Sequence, residues 1–355
     1  MRTRSEGGPG EPRVELGRAG ELTEGDLRDL GIHRIPVPVP FPQAGGPVNV
    51  YAVDEPGGGF FLFDSGLGTD VARDALAHGF RRIGRRFQDA TRIVISHGHV
   101  DHYGAARFVQ EAHGGELPVY AHPADVPKMI EGGPRWRDQA PRYAAHLTRL
   151  GVPAEVLREI AREGEHGFGM ARRIPEVRPL REGEVLRGKH VAFEVLHMPG
   201  HTPGLVVAYD RERRIVLSDD HLLEKVSPNP IMELGPNGEE GWFRPLLAYL
   251  DSLGRLHGLE VDLVLPGHGP GFGGHRRIID TLVQFYGKRQ AKIREVLRAE
   301  PRTGYEVSTA LFPWARAGDV FLTLSETVGN LEVLEARGEI ERVEAEGRYR
   351  YRLAA

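Results

Sequence analysis

The chain has 355 residues, 40% of them apolar and 27% charged, with a formal net charge of −4. That length accommodates two or three domains, or one large domain with an appendage, and the balance gives no general attraction to nucleic acid or an anionic membrane surface. The absence of cysteine excludes disulfides, thiolate ligands and a thiol nucleophile. No run approaches the roughly 18 apolar residues of a spanning helix, and MRTRSEGGPGEPR lacks a secretory apolar segment, so a cytoplasmic protein is expected.

In chain order, residues 1–20 are rich in Gly, Pro, Glu and Arg and read as a disordered tail. Order is expected to begin near His33. IHRIPVPVP reads as an edge strand, because its prolines cannot donate to two neighbours. VNVYAV (48–53) and FFLFD (60–64) follow as strands around the turn DEPGGG. A helix is expected from about Thr69 to Phe87, and then the strand RIVIS (92–96). At its end stands SHGHVDH, which sets His97, His99, Asp101 and His102 within six consecutive residues. One such histidine would be a solvated helix start, but four groups at ligand spacing form a metal-site pattern. DHYGAARFVQEAHGG then reads as a helix closed by glycine.

Three later strands also end on candidate ligands. VAFEVLH (191–197) leads into MPGHTPG, which carries His201; RIVLSDDH (214–221) ends on Asp219, Asp220 and His221; VDLVLPGHGP (261–270) carries His268. In layered α/β folds, ligand sites collect outside the carboxyl ends of strands. Residues 123–187 are longer than a simple connection requires. PADVPKMI, RYAAHLTRLG and AEVLREIAREG read there as short amphipathic helices, either a cap over the site or a peripheral insert. SPNPIMELGP (227–236) has no clear period and is expected to line the pocket as an irregular loop. His221 is a candidate for substrate contact or support. His197 reads as structural, and His146 and His275 as solvated.

From residue 288 the character changes. FLTLSETVGNLEVLEARG places Phe321, Leu324, Val328, Leu331 and Leu334 on one helical face. EIERVEAEGRYRYRLAA reads as a hairpin in which Tyr349, Tyr351 and Leu353 alternate with Arg348, Arg350 and Arg352. This segment carries 12 Lys/Arg and 11 Asp/Glu, a net of +1. The stretch SETVGNLEVLEA of its second helix carries Glu326, Glu332 and Glu335 and no basic residue, whereas a helix that faces phosphates is basic. DNA binding is therefore not expected. Packing, pocket closure or homodimerisation is the expected role, and the arginine face of the last strand leaves RNA contact as the weaker option.

SHGHVDH, PGH, an acidic residue after a later strand and PGHG, preceded by VPVP, VNVYAV and FLFDSG, together resemble the metallo-β-lactamase-fold hydrolases. The likeness runs from about residue 33 to 287. It implies an α/β (α+β) fold with four αββα layers, two mixed sheets face to face and helices outside both. The helices and hairpin at the end resemble the winged-helix module of the lactamase-beta-2-like branch. The implied domains are 21–287, with a helical insert at about 123–187, and 288–355. The resemblance further implies that His97, His99 and His201 hold one metal and Asp101, His102 and His268 another. Asp220 would bridge them, Asp64 would support a ligand from behind, and Asp101 would double as a proton shuttle. The family usually has Gly-Asp at the bridge, where this chain has Asp219-Asp220. Asp220 is preferred because Leu222 then matches the following apolar position, with Asp219 as the alternative. Zinc is the first choice of metal, and manganese or iron also suits nitrogen and oxygen ligands. The implied activity is that of a dinuclear hydrolase, resembling glyoxalase II, whose shared hydroxide attacks the carbonyl of a small ester, thioester or lactone. The alternatives are a metal-dependent ribonuclease or phosphodiesterase of the same fold, and a non-catalytic regulator, against which the complete ligand set argues.

Overall fold

The computed structural model describes residues 24–40, 45–228, 230–234 and 242–354. The expected tail at 1–20 and part of the 227–236 loop lie outside the described residues. Order begins earlier than His33. Helix α1 (Glu24–Asp29) and the following Leu30 bury Leu27 and Leu30 beside β1 (Ile32–Val37). A helix of six residues is too short to show a period in sequence.

The first sheet takes its strands in chain order: β1, β2 (Val48–Asp54), β3 (Phe60–Phe63), β4 (Ala90–Ile95), β5 (Val119–Ala121) and β6 (Arg178–Pro179). The first three pair antiparallel and the rest parallel. Pro36 sits on edge strand β1, where its missing N–H costs no ladder bond. Parallel neighbours need crossovers. Helix α2 (Asp70–Arg82) joins β3 to β4, and α3 (Val100–Tyr103) with α4 (Ala106–His113) joins β4 to β5. Helices α5 (Val126–Glu131), α6 (Gly133–Arg149) and α7 (Ala154–Phe168) lie between β5 and β6. The insert therefore ends before Arg178. The rest of the span expected to 187 belongs to β6 and to β7 (Val185–Arg187), which begins the second sheet.

That sheet runs β11-β10-β9-β8-β7, with β8 (Ala192–His197), β9 (Val206–Asp210), β10 (Ile215–Asp219) and β11 (Leu263–Pro266). Only its β10–β11 pair is parallel, and helix α8 (Pro245–His257) lies on that crossover. Phe61, Phe63 and Val94 of the first sheet meet Phe193, Val195 and Leu217 of the second. Leu76, Phe80 and Val109 from the α2–α4 layer cover the first sheet's outer face. Tyr249 and Leu253 of α8 and Ile278 of α9 (His275–Val296) cover the second. Each such side chain contributes about 1.5–3 kcal/mol on burial. Burial on both faces also explains why a strand such as RIVI shows no polar alternation. The expected four-layer αββα sandwich is the observed one.

Helix α9 passes unbroken through residues 287 and 288, so the boundary drawn there falls inside a helix rather than in a linker. Beyond it come β12 (Arg302–Thr303), α10 (Gly304–Leu311), α11 (Val320–Ala336), β13 (Ile340–Ala345) and β14 (Arg348–Leu353), with sheet order β12-β14-β13. Thr303 and Glu306 form a reciprocal capping box that starts α10. Leu324, Leu331 and Tyr351 share one core with Leu147, Leu150 and Ile160 of the insert. The Tyr305 N–H donates to Leu150 O at 2.9 Å. The insert thus packs on the C-terminal segment, a partnership that sequence reading did not anticipate. Among the described residues, no helix is long and apolar enough to cross a membrane.

Candidate metal centre

Every predicted ligand lies just past the carboxyl end of a strand. His97 and His99 follow β4, and Asp101 and His102 start α3. His201 lies between β8 and β9, Asp219 ends β10 with Asp220 directly after it, and His268 follows β11. The structure brings all seven predicted ligands into one cluster. Three overlapping sets, His97–His99–His201, His97–His102–Asp220 and Asp101–His102–His268, each hold their donor atoms within 4.8 Å of one another.

The two aspartates at the end of β10 differ in which ring atoms they face. Asp220 Oδ2 lies 3.5 Å from the Nε2 atoms of both His102 and His201, and its Oδ1 lies 3.7 Å from His268 Nε2. Asp219 instead meets Nδ1, at 2.8 Å on His97 and 3.2 Å on His102. Asp220 therefore sits among the inward-facing nitrogens and Asp219 behind the rings. Asp219 adopts φ 47° at the end of its strand, a left-handed conformation that aspartate tolerates better than most residues. A Cβ at Gly267 would collide with Oδ1 of both aspartates, so the PGH turn needs glycine there.

Asp64, also left-handed at φ 65°, accepts from the Ser96 N–H at 2.8 Å and Oγ at 2.9 Å and faces His102 Nδ1 at 2.9 Å. The Ser96 oxygen also lies against the Asp219 carboxylate. His268 Nδ1 lies 3.1 Å from Gly46 O. Such outer contacts fix the tautomer of a metal-binding imidazole and orient its ring.

These residues fit divalent cations. His102 Nε2 and Asp220 Oδ1 are buried without a hydrogen-bond partner, a costly state for a polar atom unless a ligand satisfies it. The electrostatics agree. Burial opposes a charged His102, yet the carboxylates of Asp219, Asp220 and Asp101 hold its pKa well above the usual value. Burial likewise opposes a charged His268, but Asp220 and Asp101 lift it to about 9. For Asp64, burial and the neighbouring Asp219 charge raise the pKa to about 6. His99 goes the other way, held low by burial and by His201 and His97. A site that draws protons onto two imidazoles is short of positive charge, and metal ions supply it.

Several supporting residues escaped sequence reading. Asn49 Nδ2 donates to Pro266 O at 2.9 Å and Gly269 O at 2.7 Å, and Tyr51 Oη donates to Pro266 O at 2.8 Å. Both hold the PGHG turn. Their signal was available as polar groups at alternate positions of an otherwise apolar strand. Asp125, Lys128 and Glu233 form a buried ion cluster beside His99. His146, expected in solvent, stacks on Trp242 at 3.9 Å, and His275 is buried at the start of α9. His221 is fully buried behind Asp220, edge-on to Tyr249 at 5.3 Å.

With this geometry in view, the sequence profile of the metallo-beta-lactamase superfamily matches residues 44–268. The chain belongs to that superfamily. It is 31% identical over 307 residues to the probable metallo-hydrolase YqjP of Bacillus subtilis (strain 168), covering 86% of this chain and 93% of that protein. A crystal structure of a metallo-beta-lactamase family protein from Thermus thermophilus superposes with a TM-score of 0.74 at 30% identity, covering 91% of this chain and 98% of that one. An acyl-coenzyme A thioesterase of Gallus gallus is 30% identical over 192 residues, or 52% of this chain and 58% of that protein. Membership makes this chain a metallo-hydrolase with a His/Asp cluster able to hold metal.

Proposed function

We propose that the chain is a dinuclear hydrolase of a small ester, thioester or lactone, with zinc as the first-choice metal. The observation that carries this reading is the convergence of seven donors within overlapping 4.8 Å sets. His97, His99 and His201 would hold one ion, Asp101, His102 and His268 the other, with Asp220 between them. Two such ions, when bound, would supply an activated water at neutral pH and polarise a substrate oxygen.

The chain's own residues set up the rest. Asp220 places negative charge among three imidazoles. Asp101 Oδ2, 3.8 Å from His102 Nε2 and 3.6 Å from His268 Nε2, keeps a side-chain exposure of 13% and would take up a proton from the reacting water. Asp219 and Asp64 hold the rings of His97 and His102. The likeness to an acyl-coenzyme A thioesterase favours a thioester within the acyl class.

Nucleic-acid substrates find less support. Arg352 pairs with Glu341 at 2.8 Å and Arg350 lies 4.0 Å from Glu306. Most of the α11 surface is buried in the chain. The test is one preparation assayed for metal content and against acyl thioesters, aryl esters, lactones and single-stranded RNA. Close to two ions per chain with acyl hydrolysis is expected; RNA cleavage without acyl hydrolysis would refute the reading.

A further inference from the structure

The structure assigns Glu233 and Lys128 as positioning residues for the His97–His99–His201 half of the centre, an inference that rests on the ligand reading above. Three other ligand histidines present a distal nitrogen to an acceptor: His97 to Asp219 at 2.8 Å, His102 to Asp64 at 2.9 Å, and His268 to Gly46 O at 3.1 Å. His99 is turned the other way round. Its Nδ1 lies 3.0 Å from His97 Nε2, inside the cluster, so Nε2 is its distal atom. That atom faces Glu233 Oε1 at 4.0 Å. A side-chain adjustment of about 1 Å would close that gap to a hydrogen bond. A metal on Nδ1 leaves the ring proton on Nε2, directed at this carboxylate.

Lys128 holds Glu233 in place. Its Nζ lies 2.8 Å and 2.6 Å from the two Glu233 oxygens and 2.9 Å from Asp125 Oδ1. The other Asp125 oxygen accepts from the Gly98 N–H at 2.9 Å and from Thr202 Oγ1 at 2.6 Å. One ammonium therefore joins three segments: the loop of His97 and His99, the turn of His201, and the loop of Glu233. The fit is close, since a Cβ on Gly98 would stand 2.6 Å from Lys128 Cδ.

The Glu233 loop is gripped from behind by both added regions. Met232 N–H donates to Ser325 Oγ of α11 at 3.2 Å, and Leu234 N–H to Tyr143 Oη of α6 at 3.3 Å. The insert and the C-terminal segment thus reach the metal centre through one glutamate. A buried ion cluster with a purely structural role would stabilise the chain without distinguishing one metal position from the other.

The experiment titrates metal-free full-length protein with Co2+ against a chromophoric chelator, recording the visible spectrum at each step. Glu233→Gln keeps the side-chain volume and is the primary variant, with Lys128→Met as the second. Asp64→Asn, behind His102, serves as the comparison for the other position. Glu233→Gln is expected to weaken one of the two binding steps about 10–100-fold and to shift that step's cobalt bands. Asp64→Asn is expected to weaken the other step. Wild-type affinities and spectra at both steps in Glu233→Gln would overturn the assignment alone, even with a lowered Tm. Wild-type protein that takes up no metal would overturn the ligand reading, and this assignment with it.

Discussion

The metal centre and the C-terminal segment are both dense in charge, and they differ in what surrounds that charge. In the centre, His97, His102 and Asp219 are buried, and their polar atoms meet one another across loops from both sheets. In the C-terminal segment, Arg352 pairs with Glu341 at 2.8 Å and Glu344 with Arg149 of the insert at 3.4 Å, all four side chains about half exposed. Exposed pairs of that kind contribute about 0–1 kcal/mol. Buried groups without partners cost more, and where several converge, as His102 Nε2 and Asp220 Oδ1 do, a bound cation offsets that cost. Charge marks a site where burial leaves it unsatisfied, and merely solubilises a surface where water can reach it.

The largest effects should come from the centre. His99→Ala and Asp220→Asn should each lower metal content and reduce kcat/KM by more than the roughly 100-fold that supporting residues command, as read by elemental analysis and hydrolysis of an acyl substrate. Asp219→Asn should lie within about 10–100-fold in metal affinity, since it acts through the Nδ1 atoms. The reverse ranking would place the bridge at Asp219.

The C-terminal segment should respond in stability instead. Leu331, fully buried in the core shared with the insert, should cost about 2–5 kcal/mol on change to Ala. Denaturant melts would read this, with metal stoichiometry unchanged; a loss of metal at equal fold would tie the segment to the centre more closely than its packing suggests.

Glu332 offers a pH-dependent contrast. Burial raises its pKa to about 8, against the pull of Arg244, and its Oε2 has no hydrogen-bond partner. The folded chain therefore keeps a proton that the unfolded chain releases above about pH 4.5. Stability from this group is full below that pH and lost as pH rises towards 8. Glu332→Gln should remove that loss, making the chain more stable near pH 8 by up to roughly 5 kcal/mol. Equal pH profiles for the two proteins would refute it. The smallest change is expected at the surface: Arg352→Ala should stay within about 0.5 kcal/mol, and duplex DNA should bind the wild type no better than about micromolar at moderate salt. Tight, sequence-dependent binding would contradict the pairing of its arginines.

The sandwich was legible because its strands are apolar runs separated by turn residues, and α11 because Leu324, Val328 and Leu331 recur at helical spacing. The start at α1, the end of the insert before β6 and the continuity of α9 were not. Each depends on which surface a short or uninterrupted stretch meets, and periodicity carries no record of that.

The seven candidate ligands, their order and their places at strand ends were determined by the sequence itself. Local spacing such as SHGHVDH holds wherever the chain folds, and a strand followed by a tight turn presents its side chains at one rim. Which of Asp219 and Asp220 points into the cluster was decided by tertiary structure, through a left-handed residue at 219 and the close approach of Gly267. The same holds for the Lys128 bridge to Asp125 and Glu233, three ordinary surface residue types in sequence. A lysine 105 positions from its carboxylate partner becomes a latch only when packing excludes water from both. The burial that makes such contacts matter arises only once the distant segments have met.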